Sequence, residues 1–173
     1  MEYITIIPTY NEKKNLERLL AKIFRSVSDM NVLIVDDNSP DRTGVLADEI
    51  SKKDPRVKVL HRNQKEGIGA AYKEAFKFVL NNFDAKYILQ MDADLSHRPK
   101  DLKLLLNKRK DYDLVVGSRR VKKVRWINRR SWPFHRVLLS EMATAYTKFL
   151  TGMPLDDATS GFKCFKREAV ENI

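Results

Sequence analysis

The sequence contains one cysteine, Cys164, so it cannot form an internal disulfide. It has no apolar run near the roughly 18 to 20 residues that a membrane-spanning helix needs. Met1 leads directly into a strand-like segment without a signal peptide. These absences predict a protein of a reducing compartment, on the cytoplasmic side. Cys164 is interpreted as a small buried side chain, since no base that would activate a nucleophile is apparent near it.

Glycine-rich nucleotide loops are missing as well. The first apolar run, Tyr3 to Pro8, leads into Pro8-Thr9-Tyr10-Asn11-Glu12, which lacks the Gly-x-Gly-x-x-Gly pattern of a dinucleotide turn. Gly67-Ile68-Gly69 has no third glycine at Tyr72, so it is interpreted as a turn before a helix. No Gly-Lys-Ser or Gly-Lys-Thr phosphate loop occurs. Nicotinamide and flavin cofactors are therefore not expected, and neither is a kinase or ATPase of the phosphate-loop class.

The positive charge of the chain is concentrated in one segment. With 173 residues, 43% hydrophobic and 32% charged, the composition is that of a globular domain rather than a disordered chain. The net charge is +10, and 14 Lys or Arg stand against three Asp between Arg98 and Arg136. Such a segment indicates an anionic partner. Nucleic acid, an acidic membrane surface and phosphate-bearing substrates all fit, and composition does not choose among them.

Apolar runs alternate with helical patterns along the first two thirds of the chain. The predicted strands are Tyr3 to Pro8, Asn31 to Asp36, Val57 to Leu60, Tyr87 to Met91 and Leu114 to Gly117. The predicted helices are Lys14 to Val27, a helix capped by Asp41 that runs to about Lys53, Gly69 to Asn81, and Asp101 to Arg109. This alternation predicts an α/β fold with a Rossmann-like, mostly parallel, doubly wound sheet.

The pattern changes in the last third of the chain. Val121 to Ser131 is basic and irregular, and Trp132 to Leu150 has the pattern of an amphipathic helix. Such a helix either packs on its own domain or lies at a membrane interface, and the adjacent basic segment is compatible with the second. Asp157 to Phe165 is predicted to be extended. Lys166 to Ile173 begins a helix whose abrupt end suggests a truncated chain or a missing C-terminal element.

Two carboxylates follow the predicted strand that ends at Met91, in the sequence Asp92-Ala93-Asp94-Leu95-Ser96-His97. Successive strand residues point to opposite sides, so Asp92 and Asp94 need a turn before both approach one cation. Mg²⁺ and Mn²⁺ prefer carboxylate oxygens and keep positions open for substrate phosphates. Ligands of open α/β sheets gather at the carboxyl ends of strands, which favours a metal site over the alternative of a solvated loop pair.

A second acidic stretch, Val35-Asp36-Asp37-Asn38-Ser39-Pro40-Asp41, follows the second predicted strand. Its carboxylates can serve only as caps and turn formers. Alternatively, an Asp at the strand end can accept hydrogen bonds from a ribose or a base. The residues leave both interpretations open.

Six short segments occur in a characteristic order: Pro8 to Glu12, Val35 to Asp41, Gly67 to Ala71, Met91 to His97, Val116 to Arg119 and Thr159 to Phe162. Their ordered combination resembles the dolichyl-phosphate mannose synthases, which are inverting family-2 glycosyltransferases. The resemblance covers essentially the whole chain. It implies one catalytic domain over 1–173, with a nucleotide-sugar-binding part in 1–118 and an acceptor-binding part, an interfacial helix and a closing segment in 119–173.

The resemblance also implies an activity, which is transfer of mannose from GDP-mannose to dolichyl or polyprenyl phosphate with Mg²⁺ or Mn²⁺ as cofactor. The alternative is a related transferase that moves another sugar, for example glucose, onto polyprenyl phosphate. The implied location is peripheral, on the cytoplasmic face of a membrane, with a membrane-anchoring subunit as a further partner. A different interpretation of the basic segment is that it belongs to a nucleic-acid-binding module. That segment includes Trp126 and Trp132, adjoins an apolar helix and lacks a base-reading motif, so no nucleic acid partner is expected.

Matching the motifs residue by residue implies a role for each position. The nucleotide-sugar pocket is assigned to Pro8, Tyr10, Glu12, Val35, Asp37, Asp92, Ala93 and Asp94. The metal ligands are Asp92 and Asp94, with Ser96 where some family members have a Gln that also reaches the metal. The acceptor phosphate is assigned to Arg119, Arg136 and Ser140, and the donor diphosphate to Lys163 and Arg167. The residues expected to be catalytic are Asp94, Arg119 and Arg136.

Overall fold

The computed structural model describes residues 1–118, the backbone of residues 134–137, and residues 138–172. Within these residues the strands are β1 (Tyr3–Thr9), β2 (Asn31–Asp36), β3 (Val57–His61), β4 (Tyr87–Gln90), β5 (Leu114–Val116) and β6 (Lys163–Lys166). The helices are α1 (Lys13–Ser26), α2 (Thr43–Lys53), α3 (Ile68–Asn82), α4 (Leu102–Lys108), α5 (Phe134–Thr151) and α6 (Arg167–Glu171). A short 3₁₀ helix, Pro99–Asp101, precedes α4.

The described strands form one sheet in the order β3-β2-β1-β4-β6-β5. β1 pairs in parallel with β2 and β4, and β2 pairs in parallel with β3, which confirms the predicted parallel sheet for these strands. Their four carboxyl ends share one edge, which we call the carboxyl edge. β6 is antiparallel to both β4 and β5. The predicted acceptor-binding part of the chain therefore contributes a strand to the interior of the sheet.

Apolar layers cover both faces of the sheet, because side chains alternate between the faces of a strand. One layer, which we call the α1 layer, includes Leu16 of α1 and Leu105 of α4, and the α3 layer on the opposite face includes Ala71 and Val79 of α3. Cys164 is buried in the α1 layer, as predicted. Burial raises the pKa of its thiol to about 12, so the thiol stays protonated at neutral pH.

The predicted inner face of α3 is confirmed at Ala71, Ala75 and Val79, which are buried. Phe78, also predicted to point inward, is only half-buried. Tyr72, which the apolar pattern did not select, is buried instead. The helix therefore carries a phenol hydroxyl into the interior.

The side chain of Asp41 connects the loops that follow β1 and β2. Its carboxylate accepts hydrogen bonds from the backbone N–H of Lys13 at 3.1 Å and of Thr43 at 3.0 Å, the first residues of α1 and α2. Asp41 was predicted to cap α2, but Arg42 occupies the N-cap position, and the Asp41 carboxylate instead contacts the first N–H of both helices. Burial alone would raise the pKa of Asp41, but its hydrogen bonds from Thr43 and Lys13 lower it.

α5 presents a largely apolar surface to solvent. Its predicted first residue, Trp132, lies outside the described residues, and the helix ends at Thr151, just before Gly152, whose φ of +67° favours glycine. The exposed large apolar residues on and just after this helix are Leu138, Leu139, Met142, Tyr146, Phe149, Leu150 and Met153. Within the described residues, no helix combines the length and the apolar character needed to cross a bilayer.

Candidate active site at the carboxyl edge

A cleft of about 230 Å³ opens at the carboxyl edge. It is lined by Pro8, Thr9, Tyr10, Glu12, Asp37, Lys65, Ile68, Asp92, Ala93 and Asp94. All residues predicted for the nucleotide-sugar pocket are among them except Val35. Val35 is fully buried in the α3 layer, and its carbonyl accepts a hydrogen bond from the Thr9 hydroxyl at 3.4 Å. The structure thus brings seven of the eight predicted positions together around one cavity.

Asp92 and Asp94 line the same cleft because the chain turns sharply after β4. Leu95 has a φ of +63°, and the N–H of Ser96 donates a hydrogen bond to Asp94 Oδ1 at 2.9 Å. This hydrogen bond, from a backbone N–H to the Asp side chain two residues earlier, closes an Asx turn. The turn fixes the position of the Asp94 carboxylate. The side chain of Ser96 is exposed and does not line the cleft. Ser96 therefore acts on the site through its backbone, and its predicted metal contact lacks support from this placement.

Asp92 is packed between two residues that come from different parts of the chain. Gly161 lies against its carboxylate, and His97 accepts a hydrogen bond at Nδ1 from the Asp92 N–H, at 3.2 Å. The imidazole of His97 stacks on Phe162 with 5.1 Å between ring centroids. Nδ1 also lies 3.7 Å from Asp92 Oδ2, a contact that becomes an ion pair when the imidazole is protonated. His97 thus holds the backbone of Asp92.

Asp37 is held by Arg62, which the sequence analysis did not select. Nη1 of Arg62 lies 2.5 Å from Asp37 Oδ1, and the two side chains are 3% and 8% exposed. Nε and Nη2 of Arg62 contact Glu74 at 2.8 Å and Glu66 at 3.0 Å. The hydrogen bond to Glu74 raises the pKa of Arg62 against the opposing effect of burial, and Asp37 adds to the rise. The guanidinium therefore fixes the Asp37 carboxylate at the cleft.

Lys65 and Ile68 also line the cleft without having been predicted. Lys65 Nζ lies 3.9 Å from the centroid of the Tyr10 ring, which is a cation–π contact. The neighbouring Glu66 binds Arg62, so the loop that carries Lys65 is anchored to the group that holds Asp37. A cation and an aromatic face at the mouth of the cleft suit an anionic, aromatic ligand such as a nucleotide.

Ser140, predicted to bind the acceptor phosphate, joins α5 to the segment before β6. Its Oγ lies 2.8 Å from the Thr159 hydroxyl, which donates to Asp157 Oδ1 at 3.1 Å. Two residues later, Gly161 contacts the Asp92 carboxylate. One short segment therefore touches both a predicted acceptor residue and a predicted metal ligand.

Arg119 and the side chain of Arg136 lie outside the described residues, as does the basic stretch Val121 to Ser131. Gly117, two positions before Arg119, is described. Its N–H donates to the Phe162 carbonyl at 2.8 Å, and a Cβ atom at position 117 would lie 2.5 Å from Phe162 Cδ1. Only glycine allows this approach, so the predicted Gly-Ser-Arg motif begins beside the Phe162 ring.

Lys163 and Arg167 are placed at opposite edges of the sheet. Lys163 pairs with Gln90 at the carboxyl end of β4, and burial lowers the pKa of its ammonium against the opposing charge of Asp157. Arg167 follows β6 to the other edge, where Nη1 and Nη2 donate to two carbonyls at the C-terminal end of α3, at 2.7 and 2.8 Å. Because β6 is antiparallel to β4, it carries Arg167 away from the cleft. We therefore do not keep Arg167 as a donor-binding residue.

The carboxylates of Asp92 and Asp94 suit a hard divalent ion such as Mg²⁺ or Mn²⁺. In the described parts of the chain, no three His, Cys, Asp or Glu side chains are grouped to hold an ion by themselves. Two carboxylates at an open cleft instead fit an ion that takes its remaining ligands from a diphosphate and water.

The sequence matches known proteins over nearly its whole length. Residues 4–173 match the family model described as Glycosyl transferase family 2. A polyprenol monophosphomannose synthase from Mycolicibacterium smegmatis is 41% identical over 172 residues, which cover 98% of this chain and 63% of the relative. An undecaprenyl-phosphate mannosyltransferase from Micrococcus luteus is 40% identical, covering 100% of this chain and 70% of the relative. A dolichol-phosphate mannosyltransferase from Pyrococcus furiosus is 37% identical, covering 100% and 48%.

The chain thus spans between 48% and 70% of the length of these relatives. Among solved structures, a mannosyltransferase from Pyrobaculum calidifontis in complex with GDP-Man and Mn²⁺ has a TM-score of 0.59 and 19% identity, over 99% of this chain and 46% of that one. Glucosyl-3-phosphoglycerate synthase from Mycobacterium tuberculosis in complex with UDP has a TM-score of 0.67 and 20% identity, over 96% and 57%. At these identities the similarity establishes a shared fold. By the match to the family model and the identity to its relatives, the chain belongs to glycosyl transferase family 2.

Proposed function

We propose that this chain transfers mannose, with inversion at the anomeric carbon, from GDP-mannose to a polyprenyl phosphate such as dolichyl phosphate. The observation that carries the proposal is one short segment in which Gly161 lies against Asp92, a proposed donor-site residue, and Thr159 contacts Ser140, a proposed acceptor-site residue. The choice of sugar and acceptor is supported by the three relatives, all of which are named for mannose and a phosphorylated polyprenol.

The donor half of the proposed site is the cleft. Asp37, held in place by Arg62, would accept hydrogen bonds from the base or ribose, and Tyr10 would offer its ring to the nucleotide. Asp92 and Asp94 would hold Mg²⁺ or Mn²⁺ together with the diphosphate. The bound ion would neutralise charge on the departing GDP. Lys163, at the same edge, is the remaining predicted cation for the diphosphate.

The acceptor half needs no general base. A lipid phosphate has a second pKa of about 6, so its oxygen is anionic at neutral pH and can attack the anomeric carbon directly. The new bond from phosphate oxygen to carbon forms as the bond from carbon to the GDP oxygen breaks on the opposite face. The tasks of the protein are alignment and charge stabilisation. We assign them to Arg119 and Arg136, whose planar guanidinium groups match phosphate geometry, and to Ser140.

We further propose that α5 attaches the protein peripherally to the cytoplasmic face of a membrane. Large apolar side chains in solvent, such as Leu139, Met142 and Phe149, favour a lipid interface when a basic segment precedes them. Cosedimentation with anionic vesicles tests this proposal. Binding that weakens in Phe149→Ser would support it, and no sedimentation of the unchanged chain would contradict it. A membrane-anchoring subunit stays a prediction.

The activity is tested by incubating the chain with GDP-mannose, a short polyprenyl phosphate and Mg²⁺ or Mn²⁺, followed by mass analysis of the lipid. A gain of one hexose that is abolished by EDTA is the expected result. GDP-mannose binding without any lipid product, with either ion, would overturn the proposed acceptor. Parallel reactions with UDP-glucose and GDP-glucose test the alternative donor. Arg136→Ala should keep GDP-mannose affinity and lose transfer, whereas Arg18→Ala, an exposed arginine of α1, should retain both.

A further inference from the structure

The phenol of Tyr72 is directed toward the cleft. Tyr72 stands one turn after Ile68, which lines the cleft near the start of α3. Side chains on a helix lean toward its N-terminus, so the Tyr72 ring extends toward the cleft end of the helix. Phe76, one turn further, stacks on this ring with 6.3 Å between centroids, and Phe165 packs edge-on against Phe76 at 5.5 Å. This aromatic column supports Tyr72 and fixes the direction of its hydroxyl.

The Tyr72 hydroxyl is buried and makes no hydrogen bond to any described residue. Most buried phenols have a partner, since an unpaired polar group in the interior costs folding free energy. Such a donor next to a cleft is a candidate for a contact that forms only when the site is loaded.

Asp92 lies on the same face of the sheet as Tyr72. Ile88 of β4 packs in the α3 layer, whereas Leu89 and Met91 pack in the α1 layer. Because side chains alternate along the chain here, the side chain of Asp92 lies on the α3 side of the sheet. Burial raises the pKa of the Tyr72 phenol and the negative charge of Asp92 raises it further, so the phenol keeps its hydrogen at neutral pH.

We propose that Tyr72 is a positioning residue for Asp92, and that its hydroxyl donates a hydrogen bond to the Asp92 carboxylate when that carboxylate holds a divalent ion. The inference rests on the proposed role of Asp92 as a metal ligand. A carboxylate that binds a metal ion still has lone pairs that accept a hydrogen bond from a second group. Such hydrogen bonds to a metal ligand orient it and increase metal affinity. Tyr72 would restrict the carboxylate from α3, while the absence of a side chain at Gly161 leaves the carboxylate room.

Tyr72→Phe tests this role because it removes only the oxygen. The metal-free chain then loses an unpaired buried hydroxyl, so its thermal unfolding temperature should stay the same or rise by a few degrees. Mn²⁺ affinity, measured by calorimetry in the presence of GDP, should fall about tenfold. A hydroxyl with a merely structural role would give the opposite pair of results, which is a lower unfolding temperature and unchanged Mn²⁺ affinity.

Tyr87→Phe is the matched control, because Tyr87 begins β4 at the opposite edge of the sheet. A loss of Mn²⁺ affinity in Tyr72→Phe but not in Tyr87→Phe supports the proposal. The proposal is overturned if Tyr72→Phe binds Mn²⁺ as tightly as the unchanged chain does. It is also overturned if Tyr72→Phe unfolds at a lower temperature or fails to fold. Either result leaves the proposed function standing. An unchanged chain that binds no Mn²⁺ with GDP overturns both.

Discussion

Gly161 lies directly against the carboxylate of Asp92. A Cβ atom at position 161 would be 3.0 Å from Oδ1 and 3.1 Å from Oδ2. The φ angle of Gly161 is outside the left-handed region, so the close approach, rather than backbone conformation, explains the glycine. This contact joins two segments that lie almost 70 residues apart in the sequence.

Gly161→Ala should displace the Asp92 carboxylate by a few tenths of an ångström and lower Mn²⁺ affinity in the presence of GDP by roughly three- to tenfold. Gly69→Ala is the control, since a Cβ atom there meets nothing within 4 Å and alanine in a helix should add about 0.5–1 kcal/mol of stability. Calorimetric titration measures the affinity. Unchanged affinity in Gly161→Ala would show that the position of the carboxylate is not critical.

Asp94→Ala should abolish metal-dependent binding of GDP-mannose, because it removes one of the two proposed carboxylate ligands. Ser96→Ala should leave binding nearly unchanged, since the Ser96 N–H that holds Asp94 is retained. Titrations with Mn²⁺ and with EDTA distinguish the two variants. A large loss in Ser96→Ala would restore Ser96 as a metal ligand, and normal binding in Asp94→Ala would refute the proposed metal site.

Arg62→Leu should lower the free energy of unfolding by about 3–5 kcal/mol, because it leaves the buried carboxylate of Asp37 without its partner. Lys148→Ala breaks an exposed ion pair with Asp156 and should cost about 0–1 kcal/mol. Urea unfolding gives both values. Adding Asp37→Asn to Arg62→Leu should recover part of the loss, and a double variant no more stable than Arg62→Leu would argue against an unpaired Asp37 charge as the cause.

Arg167→Ala should destabilise the chain by about 1.5–3 kcal/mol through loss of its hydrogen bonds to the α3 carbonyls, with no change in GDP-mannose affinity. Lys163→Met, at the carboxyl edge, should instead weaken GDP-mannose binding. Thermal unfolding and calorimetry on the two variants separate these effects. Weaker donor binding in Arg167→Ala at unchanged stability would return Arg167 to the donor site.

Local patterns predicted β1 to β5 and α1 to α4 to within a few residues, because buried strands and amphipathic helices have distinct periods. The same strands placed Tyr10, Asp37 and Asp92 around one cleft. Parallel strands make this inference reliable, since their carboxyl ends must meet at one edge.

The features that the sequence did not predict depend on contacts between distant parts of the chain. The orientation of β6 is set by its pairing with β4 and β5, which no local pattern reveals, so the position of Arg167 at the edge opposite the cleft could not be predicted. Arg62 looks like a surface arginine in the sequence, because its partner Asp37 lies 25 positions away. Tyr72 interrupts an apolar helix face with a polar atom, which a pattern of hydrophobic positions does not distinguish.

The insertion of β6 between β4 and β5 has a consequence for biosynthesis. A ribosome completes β5 well before β6, yet β5 has no place in the sheet until β6 has paired with β4. During that interval β4 presents an unpaired edge, the kind of surface at which nascent chains stick to one another. The pairing side of β4 is therefore covered only after β6 has been synthesised, and chaperone demand should be greatest just before Lys163 to Lys166 emerge.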